Sequence, residues 1–353
     1  MISRVADHCF WFGRYLERVE STARLLQVTA SLALDSELTP QQCWQPVVIT
    51  AGEQERFAQL CGPYASGDGD AVQRYLTLDD RVPVSLIRSV AAARENARSS
   101  RDVISIEAWE IVNELHLYMQ SPAAREDFDE HPYGFYRRVR REAQLCLGLL
   151  RATMLHDTPL YFCWLGVLLE RVGQTARILD VQHHAFLAVE SAGRGAQAVV
   201  EVSLWLSLLR ACYGFEPFMK IHRETVSAPA VASFLIFEPR FPRGVRHGLR
   251  RVRDLLLALQ PPTPGAPLPR AHARIQALEE WIDEQQSNTL DDKAVHAILT
   301  RVVDETHAVC DLVQSELIAA APQTQSQSSQ SQSQSQSQGQ SQMQSQSLSN
   351  HGA

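Results

Sequence analysis

The chain has 353 residues, of which 45% are hydrophobic and 21% are charged, and its formal net charge is −7 at pH 7. This composition is typical of a globular protein with a large apolar core, and the length allows two domains or one duplicated unit. The negative net charge argues against a protein built to bind nucleic acid or an anionic membrane surface. No run of about 18 apolar residues is present, so we expect no membrane span.

Apolar residues recur at helical spacing along most of the chain, with Pro and Gly between the periodic segments. Asp157-Thr158-Pro159 is a typical helix start, because it places a proline in the first turn after capping residues. The pattern predicts helices at about residues 3–33, 51–61, 68–77, 83–103, 105–120, 132–155, 159–190, 197–212, 214–224, 229–237, 242–259, 269–286 and 290–320. Residues 44–50 are the one strand-like stretch, and an isolated strand is not viable. The predicted fold class is all-α.

Two segments interrupt this pattern. Residues 260–270 are rich in proline, which predicts an extended, exposed connector. Residues 322–353 consist almost entirely of Gln and Ser. They lack the apolar side chains whose burial would offset the entropy cost of ordering, so we predict a disordered tail.

The seven cysteines are scattered without a CxxC spacing. This pattern argues against a structural zinc site and a disulfide framework, and it favours a reduced compartment. The N-terminal 18 residues lack the basic segment and apolar segment of a secretory signal. We therefore expect a cytoplasmic protein.

An internal repeat is the strongest signal in the sequence. Residues 11–28 match residues 164–181 at eleven of 18 positions, with a constant offset of 153, where chance would give about one match. A weaker match aligns residues 76–90 with residues 235–249 at an offset of 159. The repeat predicts an internally duplicated multi-helix bundle whose pseudo-two-fold halves are residues 1–157 and 158–321.

The repeated helices carry charged side chains. On a helical wheel the first one has a wide polar arc, which is typical of a solvated surface. In the second one the polar stripe is narrow and consists of Glu170, Gln174, Arg177, Asp180 and His184. A narrow stripe between apolar residues indicates charges that face another helix or a pocket, where each needs a partner. Because Glu170 and Arg177 lie about 10 Å apart along the axis, those partners must come from elsewhere.

Arginine stripes in two later helices supply candidate partners. The first stripe contains Arg94, Arg98 and Arg101, with Glu95 and Asp102 beside it, and the second contains Arg243, Arg246, Arg250 and Arg253. Two interpretations remain open, a buried structural ion-pair network and a ligand-binding pocket. The candidate residues are Glu17, Arg18, Arg24, Arg94, Glu95, Arg98, Glu170, Arg171, Arg177, Asp180 and His184.

The spacing of Asp180 and His184, four residues apart on one helical face, can hold a metal ion. Residues 180–183 and 304–307 also each carry an Asp-x-x-His pattern that resembles half of a di-iron site. These two copies do not fall at corresponding positions of the repeat, and the further glutamates of such a site are missing. We therefore predict no metal and no cofactor.

Taken together, these motifs resemble the Alpha-E family, helical bacterial proteins with a tandem-duplicated Glu-Arg motif. The resemblance rests on residues 3–7, 14–26, 92–102, 168–181 and 237–246 and covers essentially residues 1–320. It implies that Glu17, Arg18, Glu170 and Arg171 are the motif residues. It also implies a genomic setting with circularly permuted ATP-grasp ligases, transglutaminase-like proteins and an N-terminal-nucleophile peptidase, a proposed peptide synthesis or modification system.

The resemblance implies a pathway and leaves the mechanism open. We expect a non-catalytic accessory protein that presents a charged groove to a peptide or to a partner. The alternative is an enzyme that acts on amide bonds, with Glu170 or Glu17 as general base. An arginine such as Arg177 would then hold a substrate carboxylate.

Overall fold

The computed structural model describes residues 3–35, 38–192, 197–222, 226–262, 264–265, 267–287 and 289–319. The predicted tail at residues 322–353 lies outside these ranges. Across the described residues the secondary structure is helical, without a strand, which confirms the all-α class. None of the helices in these ranges is both long and apolar enough to cross a bilayer.

Fifteen α-helices lie within the described residues. The first eight are α1 (Ser3–Asp35), α2 (Pro40–Thr50), α3 (Gln54–Cys61), α4 (Gly69–Thr77), α5 (Leu86–Ser99), α6 (Ile106–Gln120), α7 (Pro122–Glu130) and α8 (Pro132–Thr153). The remaining seven are α9 (Thr158–Ala192), α10 (Gln197–Ala211), α11 (Phe215–Ile221), α12 (Ala228–Phe237), α13 (Val245–Leu259), α14 (Arg270–Gln285) and α15 (Asp292–Leu312).

No helix was predicted at residues 44–50, but these residues form most of α2. Thr39 caps this helix in a capping box with Gln42, and Pro40 occupies its first turn. These local signals, together with burial of the apolar face, outweigh the strand preference of the β-branched residues. The helix α7 was also missed from the sequence, although Ser121 caps it and Pro122 begins it.

The two repeated helices, α1 and α9, pack against each other at the centre of the molecule. The helices α5 and α8 pack on α1, and α6 packs on both of them. The helices α13 and α15 pack on α9, and α14 packs on both of them. Buried apolar side chains from all these helices belong to one continuous core.

Two loops show the same local hydrogen bonds. Before α5, the backbone N–H and the guanidinium of Arg81 donate to Asp79. Before α13, the backbone N–H and the guanidinium of Arg240 donate to Glu238 in the same way. Such agreement is what a duplication predicts, while the division into halves at residues 157 and 158 stays a prediction.

Candidate functional site

The helices α1 and α9 approach each other at two glycines. A Cβ atom built on Gly13 would lie 2.0 Å from the carbonyl oxygen of Cys163, and one on Gly166 would lie 2.1 Å from that of Phe10. Any larger residue at either position would therefore clash with backbone. This close approach lets long side chains of one helix reach carboxylates on the other.

Glu170 on α9 is the centre of the first charged cluster. Arg14 donates from Nε and Nη2 to Oε2 of Glu170, at 2.9 and 2.6 Å. Arg18 donates from Nε to Oε1 at 2.8 Å and from Nη2 to Oε2 at 3.1 Å. Gln174 adds a hydrogen bond to Oε1 at 3.2 Å. Glu170 is fully buried, and the donors of α1 hold both of its oxygens.

Glu17 on α1 is the matching carboxylate of the second cluster. Arg171 of α9 donates to it from Nε at 3.0 Å and from Nη2 at 2.7 Å. Arg243, just before α13, bridges Glu17 at 2.9 Å and Glu20 at 2.7 Å. The hydroxyl of Tyr213 donates to Glu20 as well. Each helix therefore supplies a glutamate that is held by the arginine of the other helix's Glu-Arg motif.

The arginines keep both motif glutamates ionised. Burial would raise the pKa of Glu170, but Arg18 and Arg14 outweigh burial and hold this pKa far below its usual range. Burial likewise opposes ionisation of Glu17, and Arg171 and Arg243 reverse the effect, so its pKa is also lowered. Both side chains are carboxylates at neutral pH.

Positive charge exceeds negative charge around Glu170. Arg177 lies close enough to lower the pKa of Glu170, so three guanidinium groups surround one carboxylate. The Nη1 atom of Arg177 lies 3.4 Å from Nε2 of His307. Its buried Nε has no hydrogen-bond partner among the described residues. Burial lowers the pKa of Arg177, which is the electrostatic cost of an incompletely paired charge.

A cleft of about 200 Å³ opens beside this excess charge. Its walls come from α1, α2, α4 and α9 together with Val84 before α5, and they include Arg18 and Arg177. Polar side chains at the cleft are Ser21, Thr22, Thr50 and Gln174, and apolar ones include Leu25, Val47, Leu76 and Val84. The cleft can therefore offer guanidinium donors to an anionic group within a partly apolar environment.

The arginine stripe of α5 does not join the site. Arg94 donates to Asn113 at 3.1 Å, and Arg98 donates to Glu95 at 3.0 Å on an exposed surface. The expectation that this stripe faces the motif glutamates is wrong, because their donors come from α1, α9 and Arg243. In the second stripe Arg243 does reach them, whereas Arg246, Arg250 and Arg253 pair with α14 residues.

The structure places the other candidates at the edges of the network. The guanidinium of Arg24 lies 3.3 Å from the ring centre of Tyr213 and donates to the carbonyl of Arg210. Asp180 and His184 lie farther along α9, beside His296 of α15. Arg14, Glu20 and Tyr213 were missed, and Arg14 gave no signal because Val167 stands at its aligned position.

The solvated reading of the first Glu-Arg helix is also wrong. Glu17 and Glu20 are fully buried, as is Glu170. The helix α1 packs against α5, α8 and α10 as well as α9, so these glutamates face other helices instead of solvent. The two motif glutamates are therefore equivalent in burial and in the number of arginines that bind them.

Comparison with known proteins agrees with this motif. Residues 1–316 match the Alpha-E model, described as a predicted alpha-helical domain with a conserved ER motif. The chain belongs to the Alpha-E family. Similar relatives are the uncharacterized protein Mb2597 of Mycobacterium bovis and the uncharacterized proteins MT2643 and Rv2567 of Mycobacterium tuberculosis.

Each relative is 26% identical to this Alpha-E protein over 273 residues, which is 71% of this chain. The chain spans only 29% of the length of these relatives. No solved structure matches it.

Proposed function

We propose that this Alpha-E protein is a non-catalytic binding protein whose cleft holds the carboxylate of an amino acid or peptide. In this proposal it works beside an ATP-grasp-type ligase in peptide synthesis or modification. The observation that carries the proposal is Arg177, which lines the cleft with a buried, unpartnered Nε. A carboxylate between Arg177 and Arg18 would give the surplus guanidinium the acceptor that the protein does not supply.

The volume of the cleft limits the size of the group that it can bind. At about 200 Å³ it is smaller than the roughly 300–1,000 Å³ of pockets that bury a whole drug-sized ligand. It therefore suits a terminal group, such as a single amino acid or the last residue of a peptide. The remainder of a longer peptide would lie outside the cleft.

The carboxylates of the site argue against the alternative enzyme. A general base at neutral pH needs a pKa near 7 and access to its substrate. The pKa of Glu170 and that of Glu17 are lowered, and both side chains are buried beneath arginine donors. These features suit glutamates with a structural role, which hold the arginines in position.

The ligase, and the transglutaminase-like protein expected beside it, enter the proposal from the family setting. The relatives are longer proteins of which this chain matches less than a third. That proportion is compatible with an Alpha-E region that acts next to further domains, as a partner of a ligase would.

Binding of short peptides tests the proposal. We would titrate the full-length protein with dipeptides that carry a free C-terminal carboxylate and with the same dipeptides amidated. Amidation should weaken binding about tenfold or more, because a hydrogen bond to a charged group contributes roughly 1.5–3 kcal/mol. Arg177→Lys should also weaken binding, since lysine lacks the planar fork.

The matched control is Arg98→Lys, which changes an exposed arginine outside the cleft. It should bind as the wild type does. The proposal is wrong if amidated and free peptides bind equally, if neither binds, or if Arg177→Lys behaves like the control.

A reconstitution distinguishes the accessory role from the enzyme. The chain would be combined with an ATP-grasp-type ligase, ATP and amino acids, and the product would be followed by mass spectrometry. Folded Glu170→Gln should support product formation if the chain only binds and presents. Loss of product with this variant, while its circular dichroism stays native, would favour the enzyme.

A further inference from the structure

A second group of chemically reactive side chains lies where α9 packs against α15, away from the cleft. Asp180 and His184 are four residues apart on α9, and Asp292 and His296 are four residues apart on α15. Residues at this spacing share one face of a helix. The two faces meet, so each helix contributes one carboxylate and one imidazole to the same place.

The pairing across the interface is crosswise. His296 Nδ1 lies 2.8 Å from Oδ1 of Asp180, and His184 Nδ1 lies 3.1 Å from Oδ1 of Asp292. The two imidazole rings are 4.9 Å apart between centroids. Ligand atoms of Asp180, His184 and His296 all lie within 4.8 Å of one another.

This spacing is close to that of a metal site. With metal–ligand bonds of about 2.0–2.2 Å in tetrahedral geometry, ligand atoms lie roughly 3.3–3.6 Å apart. The ligand atoms of Asp180, His184 and His296 therefore need to close by at most about 1.5 Å, which rotation of the exposed histidine side chains can provide. His184 and His296 are 45% and 51% exposed, so solvent and ions can reach the group.

A buried neighbour holds Asp292, the partner of His184, in place. His183 is buried against Trp205, and its Nδ1 lies 3.2 Å from Oδ1 of Asp292. Asp292 in turn contacts the ligand His184 at 3.1 Å. Carboxylates that orient a metal-binding histidine in this way are a regular feature of metal sites.

We propose that Asp180, His184 and His296 form a divalent transition-metal site that ties α9 to α15. Two imidazoles and one carboxylate suit Zn²⁺, whereas Mg²⁺ and Ca²⁺ prefer ligand sets made of oxygen alone. Three protein ligands leave the fourth tetrahedral position to water, and Asp292 orients the imidazole of His184 through its contact with Nδ1. Sequence alone showed only the α9 pair, because the α15 pair lies more than 100 residues away in the chain.

The test is Zn²⁺ binding by the full-length protein after dialysis against a chelator. Equilibrium dialysis with metal analysis should show one Zn²⁺ per chain, and thermal unfolding should shift upward with added Zn²⁺. Binding of Co²⁺ in place of Zn²⁺ should give the visible absorption of a tetrahedral site. Absence of stoichiometric Zn²⁺ binding by the wild type would overturn the proposal.

Two variants and a control test the assignment of the ligand His296 and of Asp292, which orients His184. His296→Ala and Asp292→Asn should each weaken Zn²⁺ binding about tenfold or more, while circular dichroism without metal stays native. The control is His156→Ala, which removes an exposed histidine outside the group and should bind as the wild type does. Equal binding by His296→Ala and the control would show that zinc binds adventitiously elsewhere.

Discussion

The close approach of α1 and α9 predicts an unusually large effect of a single methyl group. In Gly166→Ala the added Cβ would lie 2.1 Å from the carbonyl oxygen of Phe10 and 3.1 Å from the backbone nitrogen of Arg14. An ordinary contact is about 3.4 Å, so the helices must separate by roughly 1 Å. Overpacking of this kind costs about 1–3 kcal/mol. The same shift lengthens the hydrogen bonds from Arg14 and Arg18 to Glu170, so we expect a total loss of about 3 kcal/mol or more.

The control substitution should change the free energy of unfolding in the opposite direction. Gly148 lies on the exposed face of α8, and a Cβ there would meet nothing within 4 Å. Gly148→Ala should stabilise the protein by roughly 0.5–1 kcal/mol, because alanine has the higher helix propensity. Gly13→Ala should resemble Gly166→Ala, since its Cβ would lie 2.0 Å from the carbonyl oxygen of Cys163.

Urea unfolding followed by far-ultraviolet circular dichroism gives the three free energies of unfolding. The reasoning is refuted if Gly166→Ala is as stable as the wild type while Gly148→Ala is stabilised. Such a result would mean that the two central helices separate without cost.

Three further predictions follow from the charged clusters. Glu17→Ala and Glu170→Ala should each lower the free energy of unfolding by about 3–5 kcal/mol, because each leaves buried arginines without their carboxylate. In urea unfolding, a loss below about 1 kcal/mol for Glu17→Ala would contradict the equivalence of the two sites. Since the folded-state pKa of Glu170 is lowered, its stabilisation is present above the unfolded pKa and is lost as pH falls through the folded pKa. Unfolding measured between neutral pH and about pH 3 should therefore show stability falling below about pH 4.5, with a shallower fall in Glu170→Gln. Tyr213→Phe should cost about 1–3 kcal/mol by removing a hydrogen bond to the buried Glu20, and unchanged thermal unfolding would be evidence against that role.

Most of the fold follows from local pattern. Helical periodicity located all the long helices, and the signal at Thr158-Pro159 marked the start of α9 correctly. The helix at residues 44–50 was missed because the composition of these residues favours a strand, while the capping signal lies at Thr39, just outside the stretch. Local chemistry determined the element there, and composition alone did not.

The candidate site was harder to predict from the sequence than the helices were. A wheel shows how residues divide around one helix, but it does not show how many other helices cover that helix. For this reason the helical wheel predicts a solvated Glu17, although this residue is buried. The narrow stripe around Glu170 did indicate burial. Its partner Arg14 could not be found, because the choice of donor depends on how α1 crosses α9.

The crosswise pairing links the evolution of distant positions. Arg18 binds Glu170 across 152 residues of sequence, and Arg171 binds Glu17 across 154. A substitution at Glu17 leaves Arg171 without the carboxylate that it binds. Natural selection should therefore act on such positions in pairs. In an alignment of Alpha-E proteins, loss of the glutamate at the position of Glu17 should coincide with replacement of the arginine at the position of Arg171, so the two motifs should change together.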